Sequence, residues 1–137
     1  MTNEELVRLA AAVRKNSYSP YSGYSVGAAL LCEGGAVFTG VNVENISFGA
    51  TICAERSAIL GAVSAGERKF IKIAVAVSGE EKGIPCGMCL QFISEFAGAD
   101  FEIICAGREG EFSVFRLADL MPVAFNSASI VKKGGLS

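Results

Sequence analysis

Residues 71–77 read IKIAVAV, a nearly continuous apolar run of strand length. Apart from Lys72 it offers no wet face, which is the pattern of a central strand covered on both sides of a sheet. Such a strand needs helices above and below it. Its flanks supply them. ICAERSAILGAV (52–63) reads as a helix with Gly66 as its stop, and Cys86 to Phe96 reads as a second one, ended by Gly98. GEEKGIP (79–85) is the loop between, and Phe101 to Cys105 is another apolar strand. A strand–helix–strand order implies a crossover and some parallel pairing.

Working outward, Thr2-Asn3-Glu4-Glu5 has the form of a capping box. Leu6, Leu9, Ala10 and Val13 follow at helical spacing. NSYSPYSG (16–23) is a turn-rich loop. Val26 to Cys32 and Ala36 to Val43 read as two strands joined through Glu33-Gly34-Gly35, an antiparallel hairpin. Asn42 to Thr51 is polar and irregular. After a turn at 108–111, Phe112 to Phe115 makes a short edge strand and Leu117 to Met121 one helical turn. The expected fold is α/β, with a mixed sheet of about five strands between helical layers. No repeat or linker divides residues 1–137, so the expectation is a single domain.

Hydrophobic residues make up 51% of the chain and charged residues 19%, which argues against disorder. The net charge of −2 offers no positive field for nucleic acid or an anionic membrane. The opening TNEELVRLAA is acidic and helical, unlike a secretory leader, and no apolar run is long enough to span a bilayer. A cytoplasmic protein is expected.

TICAERSAIL (51–60) places Cys53, Glu55 and Arg56 almost side by side in an apolar segment, and the chain has no histidine. Five cysteines in a reducing compartment argue against a disulfide framework. Cys32 and Cys105 lie within strand-like runs and read as small buried hydrophobes. The other three differ. Cys86 and Cys89 stand three apart at a helix start, so both sulfurs reach one face, and Cys53 stands at the start of the other helix. Helix N-termini favour thiolates. Three converging thiolates suit Zn²⁺, one per chain, with a fourth position open for water. Glu55 is placed to carry protons at that position without being a ligand. Three thiolates around a dication leave a net negative centre, which the guanidinium of Arg56 can offset. Two other uses of the thiols stay in view. A redox dithiol would need Cys86 and Cys89 alone, and a structural zinc knot would draw a fourth sulfur from Cys32 or Cys105.

Cys53-Ala54-Glu55 followed by Pro85-Cys86-Gly87-Met88-Cys89 resembles the zinc nucleoside deaminases. More narrowly, PYSGYSVGAAL (20–30), GVNVEN (40–45), CAERSAI (53–59), PCGMCLQ (85–91) and LADLMPVAF (117–125) are similar to the small bacterial-type cytidine deaminases. The resemblance runs from about residue 4 to 126. It implies a three-layer α/β/α sandwich, a homotetramer, and hydrolytic deamination of cytidine and 2′-deoxycytidine to the uridines plus ammonia. By position it implies Cys53, Cys86 and Cys89 as zinc ligands and Glu55 as the proton carrier for N3 and the departing amine. Asn42 and Glu44 match the pair that holds a ribose hydroxyl, and Val43 between them belongs to the same substrate-contacting stretch. Tyr24 takes the place of an aromatic that lines the base pocket. The Ala54 amide is a base contact, and Phe125 resembles an aromatic that reaches a neighbouring subunit's site. The chain departs from the pattern where Leu90 replaces an arginine after the last cysteine, and where Phe48 replaces a tyrosine. The rival readings are the same chemistry on another cytosine-bearing molecule, such as a nucleoside antibiotic, and a non-catalytic zinc-stabilised binding module.

Overall fold

The structure is a computed structural model, and it describes residues 1–127. The elements are α1 (Asn3–Arg14), β1 (Val26–Cys32), β2 (Val37–Val41), a 3₁₀ turn (Phe48–Ala50), α2 (Ala54–Ser64), β3 (Phe70–Val77), α3 (Gly87–Ser94), β4 (Glu102–Ala106), β5 (Phe112–Arg116) and α4 (Leu117–Leu120). Five strands form one sheet in the order β2-β1-β3-β4-β5. Strands β3 and β4 pair in parallel across α3, and the other neighbouring pairs are antiparallel.

The IKIAVAV run is the third of these strands and sits at the sheet's centre. Its side chains alternate between two cores, as strand geometry requires. On one face Ala29, Leu31, Ala74, Ala76 and Ile104 pack against Leu6, Val7 and Ala10 of α1. On the other, Leu30, Ile73 and Ile103 meet Ala58 and Ile59 of α2 and Ile93 of α3. The result is the expected three-layer α/β/α sandwich. Each fully buried Leu or Ile contributes roughly 1.5–3 kcal/mol, so the layers are held chiefly by these aliphatic contacts. The capping box at the start of α1 is present, with Glu5 N–H donating to Thr2 Oγ1 at 3.1 Å. Cys32 and Cys105 have no exposed surface and belong to the α2/α3 core. Burial raises both thiols, Cys105 to about 12, so neither offers a ready thiolate.

Strand β2 stops at Val41, two residues short of the sequence expectation. The cause is Asn42, whose Oδ1 accepts the Val26 N–H at 2.9 Å and so takes the place of a ladder carbonyl. Val43 then turns away to form bridges with Tyr18 and Ile52. Gly40, on β2, lets α2 come down onto the strand. A Cβ there would lie 2.6 Å from the Ala54 carbonyl oxygen and 2.9 Å from Ser57 Cβ.

Candidate active site

Topology brings together thiols that are far apart in sequence. Strands β2 and β3 both run antiparallel to β1, one on each side of it, so they point the same way. Helices α2 and α3 follow β2 and β3 and pack on the same face. Their N-termini therefore emerge at the same end of the sheet. The loop before α2 is closed at its base by a reciprocal pair, Val43 N–H to Ile52 O at 2.9 Å and Ile52 N–H to Val43 O at 3.0 Å. That pair sets Cys53 directly beyond Ile52, next to the end of β2.

Cys53 is the N-cap of α2 and Cys86 the N-cap of α3, and neither side chain is used to cap its own helix. Cys89 lies one turn on and is buried. The three sulfurs all lie within 4.8 Å of one another. Two sulfurs on one tetrahedral zinc, at Zn–S of about 2.3 Å, stand about 3.8 Å apart. A closing movement of at most about 1 Å brings these donors to that spacing, so the donor set fits zinc. Among the described residues no other Cys, Asp or Glu joins the cluster, so neither Cys32 nor Cys105 completes a closed four-sulfur knot.

Arg56 donates from Nη2 to Cys53 Sγ at 3.5 Å and to the Thr51 carbonyl at 3.3 Å. Hydrogen bonding from Cys89 and then from Arg56 brings the Cys53 thiol down to about 5, while bonding to Cys53 and burial push Cys89 up. Leu90 is buried in the α2/α3 core and adds no charge here.

A cavity of about 230 Å³ opens beside the thiols. Cys53, Cys86 and Glu55 line it. Glu55 is only 5% exposed, and burial, followed by the charge on Cys53, raises its carboxyl above the ordinary range. Tyr24, Asn42 and Ala54 also face the cavity. Burial and the charge of Glu55 both raise the Tyr24 hydroxyl. The Ala54 N–H lies in the first turn of α2, where it has no intrahelical acceptor and is free to meet a ligand. Asn42 holds Val26 N–H and a Ser17 hydroxyl on Oδ1 and donates from Nδ2 to the Tyr24 carbonyl at 2.8 Å, which leaves one amide hydrogen for a ligand.

Glu44 is placed differently. It lines an adjoining groove with Tyr21, Ser22 and Phe48, and Thr51 borders both spaces. Its carboxylate accepts from the Tyr21 and Ser22 amides at 3.0 and 3.1 Å and from the Ser22 hydroxyl. Val43 has its amide engaged with Ile52 and its side chain exposed, outside the cavity lining. Phe125 is 61% exposed and lies outside the cavity, with its carbonyl held by Gln91 Nε2 at 2.7 Å. The lining also includes Val75, Val77, Gly83 and Ile84, which sequence reasoning missed. A signal existed for the first two: counted from Ile73, they fall on the same face of β3.

Residues 1–105 match the family model of the cytidine and deoxycytidylate deaminase zinc-binding region. The chain belongs to this family. It is similar to a cytidine deaminase of Halalkalibacterium halodurans, 38% identical over 127 residues that cover 93% of this chain and 96% of that protein. A probable cytidine deaminase of Dictyostelium discoideum is 41% identical across 97% of this chain and 92% of its own. The crystal structure of cytidine deaminase from Burkholderia pseudomallei superposes with a TM-score of 0.87 at 41% identity, covering 91% of this chain and 100% of that one. A deaminase of this family is a hydrolase with a zinc cofactor, and the Cys53, Cys86 and Cys89 cluster is where this chain could hold the ion.

Proposed function

We propose that the protein hydrolyses cytidine and 2′-deoxycytidine to uridine and 2′-deoxyuridine with release of ammonia, as a step of pyrimidine salvage. The observation that carries the reading is a buried carboxylate, Glu55, lining the same cavity as Cys53 and Cys86 of a three-thiol cluster. Zinc, when bound by Cys53, Cys86 and Cys89, supplies a Lewis acid that lowers the pKa of water to roughly 7.

The chain's own groups do the rest. Glu55 takes a proton from the attacking water and delivers it to N3 as oxygen adds at C4. It then takes the remaining proton from the new C4 hydroxyl and gives it to the amine, which leaves as ammonia as the C4–N4 bond breaks and the C4 carbonyl forms. A carboxyl that is buried and lines the cavity is placed both to accept and to give a proton. Arg56 steadies the thiolates through Cys53. Tyr24 flanks the ring, the Ala54 amide donates to it, and the spare Asn42 hydrogen meets the ribose. Glu44 holds the other side of the sugar from the groove that joins the cavity at Thr51. Among the described residues the cavity lining has no Lys or Arg, which supports a nucleoside over a nucleotide.

The same reading makes the protein a cytoplasmic homotetramer that engages neither nucleic acid nor membrane. Exposed Ile46, Phe48, Val123 and Phe125 support burial against other copies, with Phe125 serving a neighbour's site. Among the described residues no helix is long and apolar enough to cross a membrane.

The test is an ultraviolet assay of cytidine, deoxycytidine and cytidine 5′-monophosphate in parallel on zinc-loaded protein, with metal analysis. The expected outcome is about one zinc per chain and turnover of both nucleosides with the monophosphate slower. Zinc-loaded protein that converts neither nucleoside would refute the reading.

A further inference from the structure

We propose that an aliphatic wall of Val77, Gly83 and Ile84 reads the C5–C6 edge of the pyrimidine, and that the missing side chain at Gly83 fixes where that wall stands. The inference rests on the reading above and adds to it a basis for discrimination between cytidines.

The cavity lining divides by chemistry. Glu55, Asn42 and Thr51 offer polar atoms, whereas Val75, Val77, Gly83 and Ile84 have no polar side chain. Cytosine divides in the same way. O2, N3 and N4 form one continuous polar edge, and C5 and C6 carry only hydrogen. Because Glu55 serves N3 and N4, the polar edge must turn toward it. The carbon edge is then left to the aliphatic residues of the lining, whose side chains ask for no hydrogen bond.

The wall is built from two segments in contact. Val77 ends β3 and is buried. The chain then loops out and returns through Gly83 and Ile84 to Pro85 and Cys86. Gly83 lies so close to Val77 that a Cβ on it would run into Val77 Cγ1, with Val77 Cβ and Cγ2 at 3.3 and 3.4 Å. Both partners line the cavity, so relief of that clash would displace a cavity wall. Elsewhere the loop is tied by exposed polar contacts, Arg108 to Glu80 at 3.3 Å and Lys82 Nζ to the Ser113 hydroxyl at 3.1 Å. Such contacts hold loosely, so the Gly83–Val77 packing sets the position. Ile84 is 57% exposed although it borders the cavity, which places it at the rim.

A methyl group added at C5 therefore meets Val77 and Ile84. The experiment measures kcat/KM for cytidine and 5-methylcytidine, and equilibrium binding of uridine and 5-methyluridine, on zinc-loaded wild type, I84A, V77A, G83A and the double variant G83A/V77A. Wild type should prefer the unmethylated member of each pair. I84A and V77A should raise the methylated-to-unmethylated ratio by roughly tenfold, the value of one methyl in an apolar pocket. G83A should raise KM for cytidine with zinc content unchanged, and removal of the Val77 methyls in the double variant should restore it. Since V77A trims a buried residue, the exposed I84A carries the test if V77A does not fold. Ratios within twofold of wild type in the folded variants, for both turnover and binding, would overturn the wall. Failure of wild type to turn over or bind any of these nucleosides would instead overturn the underlying functional reading, and the wall with it.

Discussion

Gly40→Ala is a one-methyl change on β2, outside the cavity lining, that should damage the zinc centre. Its Cβ would stand 2.6 Å from the Ala54 carbonyl oxygen and 2.9 Å from Ser57 Cβ, and would press on the Ala58 amide. These are mostly backbone atoms of the first turns of α2, so no side-chain rotation relieves the clash. To reach an ordinary contact of 3.4 Å, strand and helix must separate by nearly 1 Å. Overpacking of this kind costs about 1–3 kcal/mol. For a chain of this size that lowers Tm by roughly 4–12 °C. The helix start that moves carries Cys53 and Glu55, while Cys86 and Cys89 ride on α3. A zinc site tolerates about 0.2 Å in its ligand distances, and a misplacement of about 1 Å in catalytic geometry can cost about a hundredfold in rate. Gly61→Ala is the control on the same helix. There the new Cβ meets only Phe38 Cδ1, at 3.9 Å, so better helix propensity should raise stability by up to about 1 kcal/mol. The assays are thermal unfolding, zinc retention against a chelator, and cytidine turnover. If Gly40→Ala melts within a degree of wild type and holds zinc as tightly, the close approach does not position the site.

Glu55→Gln should keep zinc and lose about 10²–10⁴-fold in kcat; cytidine turnover within a few-fold of wild type would remove Glu55 from proton transfer. Arg56→Ala should weaken zinc about 10–100-fold, read by chelator competition, because it removes the cation bonded to Cys53. Glu44→Gln should raise KM for nucleosides and loosen the 21–22 turn, seen as faster amide exchange at Tyr21 and Ser22. The Ser22 hydroxyl, followed by the Ser22 and Tyr21 amides, lowers the Glu44 carboxyl below its usual value. A lowered acid stays charged through the neutral range, and its contribution disappears only as the pH falls through the lowered pKa. The part of KM that Glu44 controls should therefore hold steady down to about pH 5, and a rise nearer neutrality that Glu44→Gln abolishes would contradict the assignment.

The fold was legible where one segment carries its own signal. IKIAVAV announced a strand covered on both faces, the Thr2 and Glu5 pair marked the first helix start, and the 26–43 hairpin showed its turn. Most of the cavity's chemistry was legible too, because Cys53 to Arg56 and Cys86 to Cys89 are local motifs on helix starts. What escaped was contact between segments that are distant in sequence. Nothing around Gly40 says that α2 rests on it, and nothing around Gly83 says that Val77 lies beneath it. The resemblance pairs Asn42 with Glu44 on one ribose hydroxyl, and what the sequence does not show is that Asn42 lines the cavity and Glu44 the adjoining groove, with Thr51 bordering both. The bridges from Val43 to Tyr18 and Ile52, which no local pattern predicts, fix the backbone between them.

The absence of histidine shapes the electrostatics of the centre. A site made only of thiolates is more negative than one that includes a neutral imidazole, and excess negative charge would make a bound water less acidic. Two features of this chain work against that. Two helix N-termini carry the thiols, each presenting a partial positive charge of roughly half a unit. Arg56 supplies the only full positive charge bonded to a sulfur among the described residues, and the Thr51 carbonyl aims it. With an apolar Leu90 in the position after Cys89, no second cation among the described residues is bonded to these sulfurs beside Arg56. The acidity available at this centre therefore depends unusually strongly on one guanidinium and on the loop closure at Val43 and Ile52 that sets Thr51 and Cys53 in place.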